Sequence, residues 1–257
     1  MALIRWGIVS LLLILAIEPA SSSRSFILMP TEKQSLGKGE VEMYCESWKL
    51  TVETNNAGNW GQVPEKCLKY VIKYMSGKQY LSDSEAVTEN ALAFLKKLPS
   101  TGMGKDAWVF DIDETLLGNV LYFVTHVNGS QEIDEDFMND FIELAIAPPL
   151  PASLRLYKVV QALGFKIFLL TGRSEFQRNA TETNLRNAGY SNWERLILRG
   201  EADQGKSATV YKSEKRKEIE DEGYIIKGNS GDQWSDLLGY AVAQRSFKLP
   251  NPMYYVH

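Results

Sequence analysis

The chain has few of the residues on which thiol and histidine chemistry depend. Its only histidines are His126 and His257. A binuclear metal centre takes several histidine ligands, and a histidine nucleophile takes an Arg-His-Gly segment with a second catalytic histidine, so this pair supports neither. Its only cysteines are Cys45 and Cys67, and neither opens a Cys-x5-Arg phosphate loop, which leaves no thiol nucleophile. Past the N-terminus no apolar run is long enough to span a bilayer. There is no lysine-rich block, and the formal net charge is -4, which argues against nucleic acid or an anionic membrane surface as partner. Internal repeats and low-complexity tracts are also missing. What remains is 257 residues, 44% hydrophobic and 23% charged, enough to bury a sizeable core in one domain with an appendage.

The N-terminus reads as an address. Arg5 precedes an apolar segment from Trp6 to Ile17, too short to cross a membrane, and Ala20-Ser21-Ser22 offers the small residues a signal peptidase cuts after. Residues 1–22 are therefore expected to be a signal peptide. The mature chain would start near Ser23, without a membrane segment, bound for the extracellular space or vacuole. In such a compartment an even cysteine count with no other thiol predicts a Cys45–Cys67 disulfide, worth about 3 kcal/mol by loop-closure entropy. Asn128-Gly129-Ser130 and Asn179-Ala180-Thr181 are glycosylation acceptors where exposed.

Residues 23–105 read as a helical N-terminal segment. Cys67, Leu68, Val71, Ile72 and Met75 form one helical stripe between Pro64 and Gly77. Val87, Ala91, Phe94, Leu95 and Leu98 form a second, capped by Asp83 or Ser84 and stopped by Pro99. From Ala107 the texture changes to short apolar runs alternating with helical patterns, the mark of an α/β fold with a doubly wound, Rossmann-like parallel sheet. The expected strands are Ala107–Phe110, Lys166–Leu170, Arg195–Leu198, Tyr224–Ile226 and Ser246–Leu249, with a helix over Leu154, Tyr157 and Val160 that Gly164 ends. Residues 106–257 thus form the core, and about 118–150 interrupt its alternation as an inserted cap directly after the first strand.

That strand, Ala107-Trp108-Val109-Phe110, runs into Asp111-Ile112-Asp113-Glu114-Thr115. Alternate residues of an extended chain share a side, so Asp111 and Asp113 project together. Their repulsion is tolerable when a divalent cation neutralises one, or when one is protonated and serves as an acid. Ligands of doubly wound sheets bind at the carboxyl ends of strands, and polar groups fall there in order: Asp111 and Asp113, then Thr171-Gly172-Arg173, Lys212, and Gly228 to Asp232. Lys212 is expected to open a helix Ser213 to Glu222, with Lys206 and Lys215 as rivals. Taken singly, acidic residues at strand ends read better as helix caps than as catalysts, Lys212 as a solvated charge beside Glu214, Trp48, Trp193 and Trp234 as core packing, and His126 as a surface residue.

In this order the motifs resemble the haloacid dehalogenase-like superfamily of phosphohydrolases. Cys45-Glu46-Ser47-Trp48, Val52 to Gly58, Tyr211 to Arg216, Gly228 to Asp236 and Phe247 to Tyr255 further resemble the plant acid phosphatase and vegetative storage protein family, over nearly the whole mature chain. The resemblance implies an Mg2+-dependent acid phosphatase acting on small phosphate monoesters. Asp111 would be its nucleophile, forming an aspartyl-phosphate, and Asp113 its general acid and base. Thr171, Gly172 and Lys212 would hold the phosphate. The Asp111 and Asp232 carboxylates and the Asp113 backbone carbonyl would hold Mg2+, supported by Asp236. Some members of that family serve as storage reserves after losing the nucleophile; this chain keeps Asp111. A noncatalytic binding module would be expected to show a degraded acidic set, which this sequence does not have. The oligomeric state, a homodimer included, is left open.

Overall fold

The computed structural model describes residues 37–99, 104–126 and 135–256. The expected signal peptide and Asn128 lie outside these residues. Five strands, β1 Asp106–Phe110, β2 Lys166–Ser174, β3 Arg195–Arg199, β4 Ile225–Gly231 and β5 Arg245–Lys248, pair in parallel in the order β3-β2-β1-β4-β5. Alternation along β1 divides the interior in two. Ala107 and Val109 pack with Phe168, Leu170, Ile197 and Tyr211 on one face, while Trp108 and Phe110 join Tyr157, Leu169 and Phe247 on the other. A central strand buried on both faces must be apolar throughout, as this one is.

The helices are α1 Lys38–Glu53, α2 Leu68–Met75, α3 Lys78–Leu95, α4 Val120–His126, α5 Glu135–Glu143, α6 Pro151–Ala162, α7 Arg178–Asn187, α8 Ala208–Asp221 and the single turn α9 Trp234–Leu237. Cys45 of α1 is bonded to Cys67, the last residue of a 3-10 turn leading into α2; the Cα atoms are 5.3 Å apart and both residues are fully buried. The bond staples the N-terminal helices inside the apolar cluster that they share with Val71, Tyr74 and Met75.

Four boundaries depart clearly from the sequence expectation. Helix α3 begins at Lys78 behind an extended Gly77, not at Asp83 or Ser84. Those polar residues bond sideways: Asp83 accepts from the Tyr74 hydroxyl at 2.7 Å and from Gln79 at 2.7 Å, and Ser84 donates to the Tyr80 carbonyl at 2.8 Å. Strand β2 runs on to Ser174, which pairs with Arg199 of β3 alone, and β4 runs on to Gly231 with β1 pairing as far as Ser230 and β5 as far as Gly231. At Gly228 the glycine is a packing demand, since a Cβ there would lie 2.4 Å from the Trp108 ring. Helix α8 begins at Ala208, where the Ser207 side chain accepts a bond from the Val210 amide. Lys212 therefore sits one turn inside the helix instead of opening it, which removes the expected help from the helix N-terminus.

The insertion after β1 is closed at its base. Leu150 N donates to Leu116 O at 2.8 Å and Gly118 N to Pro148 O at 2.9 Å. Helices α4 and α5 lie between these points, the side chain of His126 outside the described set. Among the described residues no helix is long and apolar enough to cross a membrane.

Candidate active site

After Phe110 the chain leaves the sheet in a tight turn: Ile112 O accepts from Leu116 N at 2.8 Å and from Leu117 N at 2.9 Å, and Glu114 takes a positive φ of 52°. Ile112 is buried, so the flanking aspartates are thrown to the open side. Both line a cavity of about 500 Å3 at the carboxyl ends of the strands, shared with Gly172, Arg173, Lys212 and Asp232. Met138 and Ile142 of α5, with Phe176 beyond β2, form its apolar wall, and Phe176 is 69% exposed there.

Asp111, Asp232 and Asp236 are all buried, with one carboxylate oxygen of each within 4.8 Å of the others. Asp232 follows directly on β4. Asp236 comes from α9 and packs so tightly on Gly231 that a Cβ there would lie 2.4 Å from its side chain. Lys212 Nζ donates to Asp111 Oδ1 at 2.6 Å and also to Asp236 Oδ1. Burial alone would lower its ammonium, but the charges of Asp111 and Asp236 outweigh that and push it above the usual lysine range. The rival Lys206 bonds to Glu214 and Asp203, and Lys215 to Glu218.

One ammonium facing three buried carboxylates leaves negative charge in excess. Burial, chiefly, raises the Asp111 carboxyl well above the usual range against the pull of Lys212, with Asp236, Asp232 and Asp113 adding to it. Burial and then Asp236 and Glu114 push Asp232 up to about 7. Hard, closely spaced oxygens with surplus charge suit a divalent cation, which would reverse both shifts. The Ser235 hydroxyl and Asn119 Oδ1, in residues lining the same cavity, are buried without a hydrogen-bond partner among the described residues, as befits a site that takes a polar guest.

The Asp113 side chain does not join that acidic cluster. It is clamped by Arg173, whose Nε donates at 3.0 and 3.2 Å and whose Nη2 donates at 2.7 Å, and by Asn119 Nδ2 at 2.8 Å. Burial works to raise the Asp113 carboxyl, but the Arg173 charge and these bonds hold it below the usual range. Thr171 is fully buried beneath the cavity, its hydroxyl accepting from Arg173 N at 3.1 Å, while Gly172 is exposed in the wall. The sequence placed Arg173 at this strand end without a role, while Asn119 and Glu114 were given none at all. Glu114 accepts from Asn119 N at 2.6 Å and from the Tyr254 hydroxyl, and burial followed by the Asp113 charge pushes it up to about 7. Arg173 stood in plain view beside Thr171 and Gly172. Asn119 and Tyr254 carried no signal, because their role depends on the turn after Asp113 and on the return of the C-terminal segment. Asn179 is exposed on α7.

Comparison with known proteins follows the same lines. Residues 31–257 match the sequence model of the HAD superfamily, subfamily IIIB (acid phosphatase). The chain is 49% identical over 215 residues to "Acid phosphatase 1" of Solanum lycopersicum, covering 84% of each chain. It is 37% identical over 231 residues to "Vegetative storage protein 2" of Arabidopsis thaliana, covering 89% of this chain and 85% of that one. The fold is similar to that of a class C acid phosphatase from Bacillus anthracis with tungstate bound, with a TM-score of 0.63 and 23% identity over 74% of this chain and 86% of that one.

Proposed function

Since this chain belongs to the acid phosphatases of HAD subfamily IIIB, we propose that it hydrolyses small phosphate monoesters through an aspartyl-phosphate on Asp111. The observation that carries this reading is the buried set of Asp111, Lys212, Asp232 and Asp236 opening on a single cavity. Asp111 attacks phosphorus in line and displaces the alkoxide, which divides one difficult hydrolysis into two displacements. Asp113, held at a fixed angle by Arg173 and Asn119, protonates the leaving oxygen and then draws a proton from the water that cleaves the acyl-phosphate. The Thr171 hydroxyl, the Gly172 backbone and Lys212 take the phosphoryl oxygens, fixed donors of the kind worth several kcal/mol where charge develops. The Asp111 and Asp232 carboxylates and the Asp113 carbonyl, with Asp236 in support, would hold Mg2+, which when bound would supply positive charge beside the nucleophile and the phosphoryl group. Met138, Ile142 and Phe176 face the leaving group, so selectivity lies with the insertion and the turn after β2.

A signal peptide at residues 1–22, together with the Cys45–Cys67 bond, fits release into the extracellular space or vacuole, with Asn128 and Asn179 as glycosylation acceptors. The similarity to vegetative storage proteins favours a second reading, a nutrient reserve with little turnover; the intact Asp111 speaks against it. Assaying phosphate release by the purified mature protein from a panel of monoesters separates the two. Turnover of several esters is expected, and a well-folded preparation that binds metal yet releases no phosphate would favour the reserve.

The Arg173 clamp makes a further expectation about pH. Because Arg173 depresses the Asp113 carboxyl, the protonated form needed by the leaving group is populated only toward acid, and activity falls as pH rises through that ionisation. Arg173→Gln removes the charge, raises the Asp113 ionisation, and should move the alkaline limb of the kcat/KM profile to higher pH, most clearly with alkyl esters whose poor leaving groups need the proton. A limb that stays put or moves to lower pH would detach Asp113 from this role.

A further inference from the structure

The C-terminal segment Leu249-Pro250-Asn251-Pro252-Met253-Tyr254 returns across the back of the acidic cluster. Pro250 and Pro252 fix their own φ, hold the residues before them extended, and carry no N–H. The stretch from Pro250 to Met253 therefore offers two backbone donors, and both are spent on order. Asn251 N donates to Glu53 Oε1 at 2.9 Å, at the end of α1, where Glu53 also pairs with Lys248 at 2.9 Å. Met253 N donates to Asn251 Oδ1 at 2.9 Å. That second bond decides which way the side-chain amide faces: its oxygen is taken as acceptor, so its nitrogen points the other way. There Nδ2 donates to Asp232 Oδ2 at 2.7 Å, between two residues each 1% exposed.

Asp232 Oδ2 also accepts from Gln233 Nε2 at 2.8 Å, whereas Oδ1 receives only the Thr115 hydroxyl, at 3.2 Å. One oxygen of this carboxylate is thus pinned by two neutral amides, and the other takes a single, longer bond from a hydroxyl among the described residues. We propose that Asn251 is a positioning residue for the cation site: by fixing the Asp232 carboxylate it sets how tightly the acidic cluster holds a divalent ion. This rests on the reading of that cluster as a cation site. A neutral amide suits the task, because it orients the ligand without adding a charge that would compete with the ion, and outer-shell donors of this kind typically change metal affinity by about 10- to 100-fold. Glu53 and Lys248 extend the support to α1 and β5, so the N-terminal helices and the C-terminal segment together set the geometry of a ligand carried by β4.

The test is direct Mn2+ binding to the purified full chain, read from the EPR signal of free Mn2+, with melting in excess chelator as the check on folding. Asn251→Leu keeps the branched shape in a somewhat larger side chain and removes both the donor to Asp232 and the acceptor for Met253 N; Asn251→Ala opens space instead of crowding it and carries the test where leucine prevents folding. Weakening of Mn2+ binding by about 10-fold or more is expected, with the metal concentration for half-maximal phosphate release rising in parallel and the ester KM at saturating Mn2+ staying near that of the unmodified chain. Unchanged Mn2+ affinity in a folded variant overturns the proposal, as does a raised KM with unchanged affinity. Failure of both variants to fold would mark Asn251 as a structural pin and overturn it too. An unmodified chain that binds no Mn2+ would overturn the cation site itself, and the proposal with it.

Discussion

Asp111→Asn is expected to abolish turnover while leaving the fold intact. The amide keeps the shape of the carboxylate and loses the charge that attacks phosphorus, so the covalent step is deleted and the rate should fall by roughly 10^4-fold or more. Folding should tolerate the change for a reason particular to this site. Asp111 is one of three buried carboxylates sharing a single ammonium, and its ionised form is disfavoured by burial before any other effect. A neutral amide avoids that cost, and Lys212 keeps its bond to Asp236. Phosphate release measured beside near-UV circular dichroism checks both halves. Hydrolysis near the unmodified rate by a well-folded Asp111→Asn preparation would refute the aspartyl-phosphate mechanism.

Removal of the divalent cation should be as severe. Without it the three carboxylates repel one another, and Asp232, pushed up to about 7, is largely protonated at the acidic pH where the enzyme is expected to work. Excess chelator should therefore bring activity to background and added Mg2+ should restore it, while Ca2+ restores it poorly, being larger and tolerant of higher coordination numbers that misplace nucleophile and phosphate. Asp232→Asn should weaken metal binding far more than folding, because it removes an anion that the fold itself disfavours. Beryllium fluoride, a mimic of the acyl-phosphate, should inhibit only with Mg2+ present. Full activity in excess chelator would refute the cation site, and an Asp232→Asn chain that binds metal as tightly as its parent would remove Asp232 from it.

Much of this could be read along the chain because the relevant signals are local. Trp108-Val109-Phe110 followed by two alternating aspartates announces a buried strand ending in carboxylates, since strand periodicity and apolarity need no distant partner. The ordered arrival of Thr171 near the end of β2, Lys212 in the connection after β3 and Asp232 after β4 followed from the winding of a parallel sheet, which the alternation of segments already implied. The Cys45–Cys67 bond followed from there being no other thiol. Tertiary structure decided most of the rest, because the determining partner is far away in sequence. Strand β4 continues through Gly228-Asn229-Ser230-Gly231, residues poor in strand propensity, because β1 and β5 pair on either side. Asp83 and Ser84 resemble caps but lie inside α3, bonded to Tyr74 and Tyr80, while the helix starts at Lys78 behind Gly77. Asp111 and Asp113 stand two residues apart yet fall into different electrostatic company, one with Lys212 and the acidic cluster, the other with Arg173, because the turn after Phe110 sends them toward different elements. Asn251 reaches Asp232 only because the C-terminal segment folds back over the strand ends. Local pattern thus specified which groups come to the strand ends, and long-range packing specified their electrostatic surroundings, orientation and pairing, because those depend on the charges and donors that only the folded chain brings within a few ångströms.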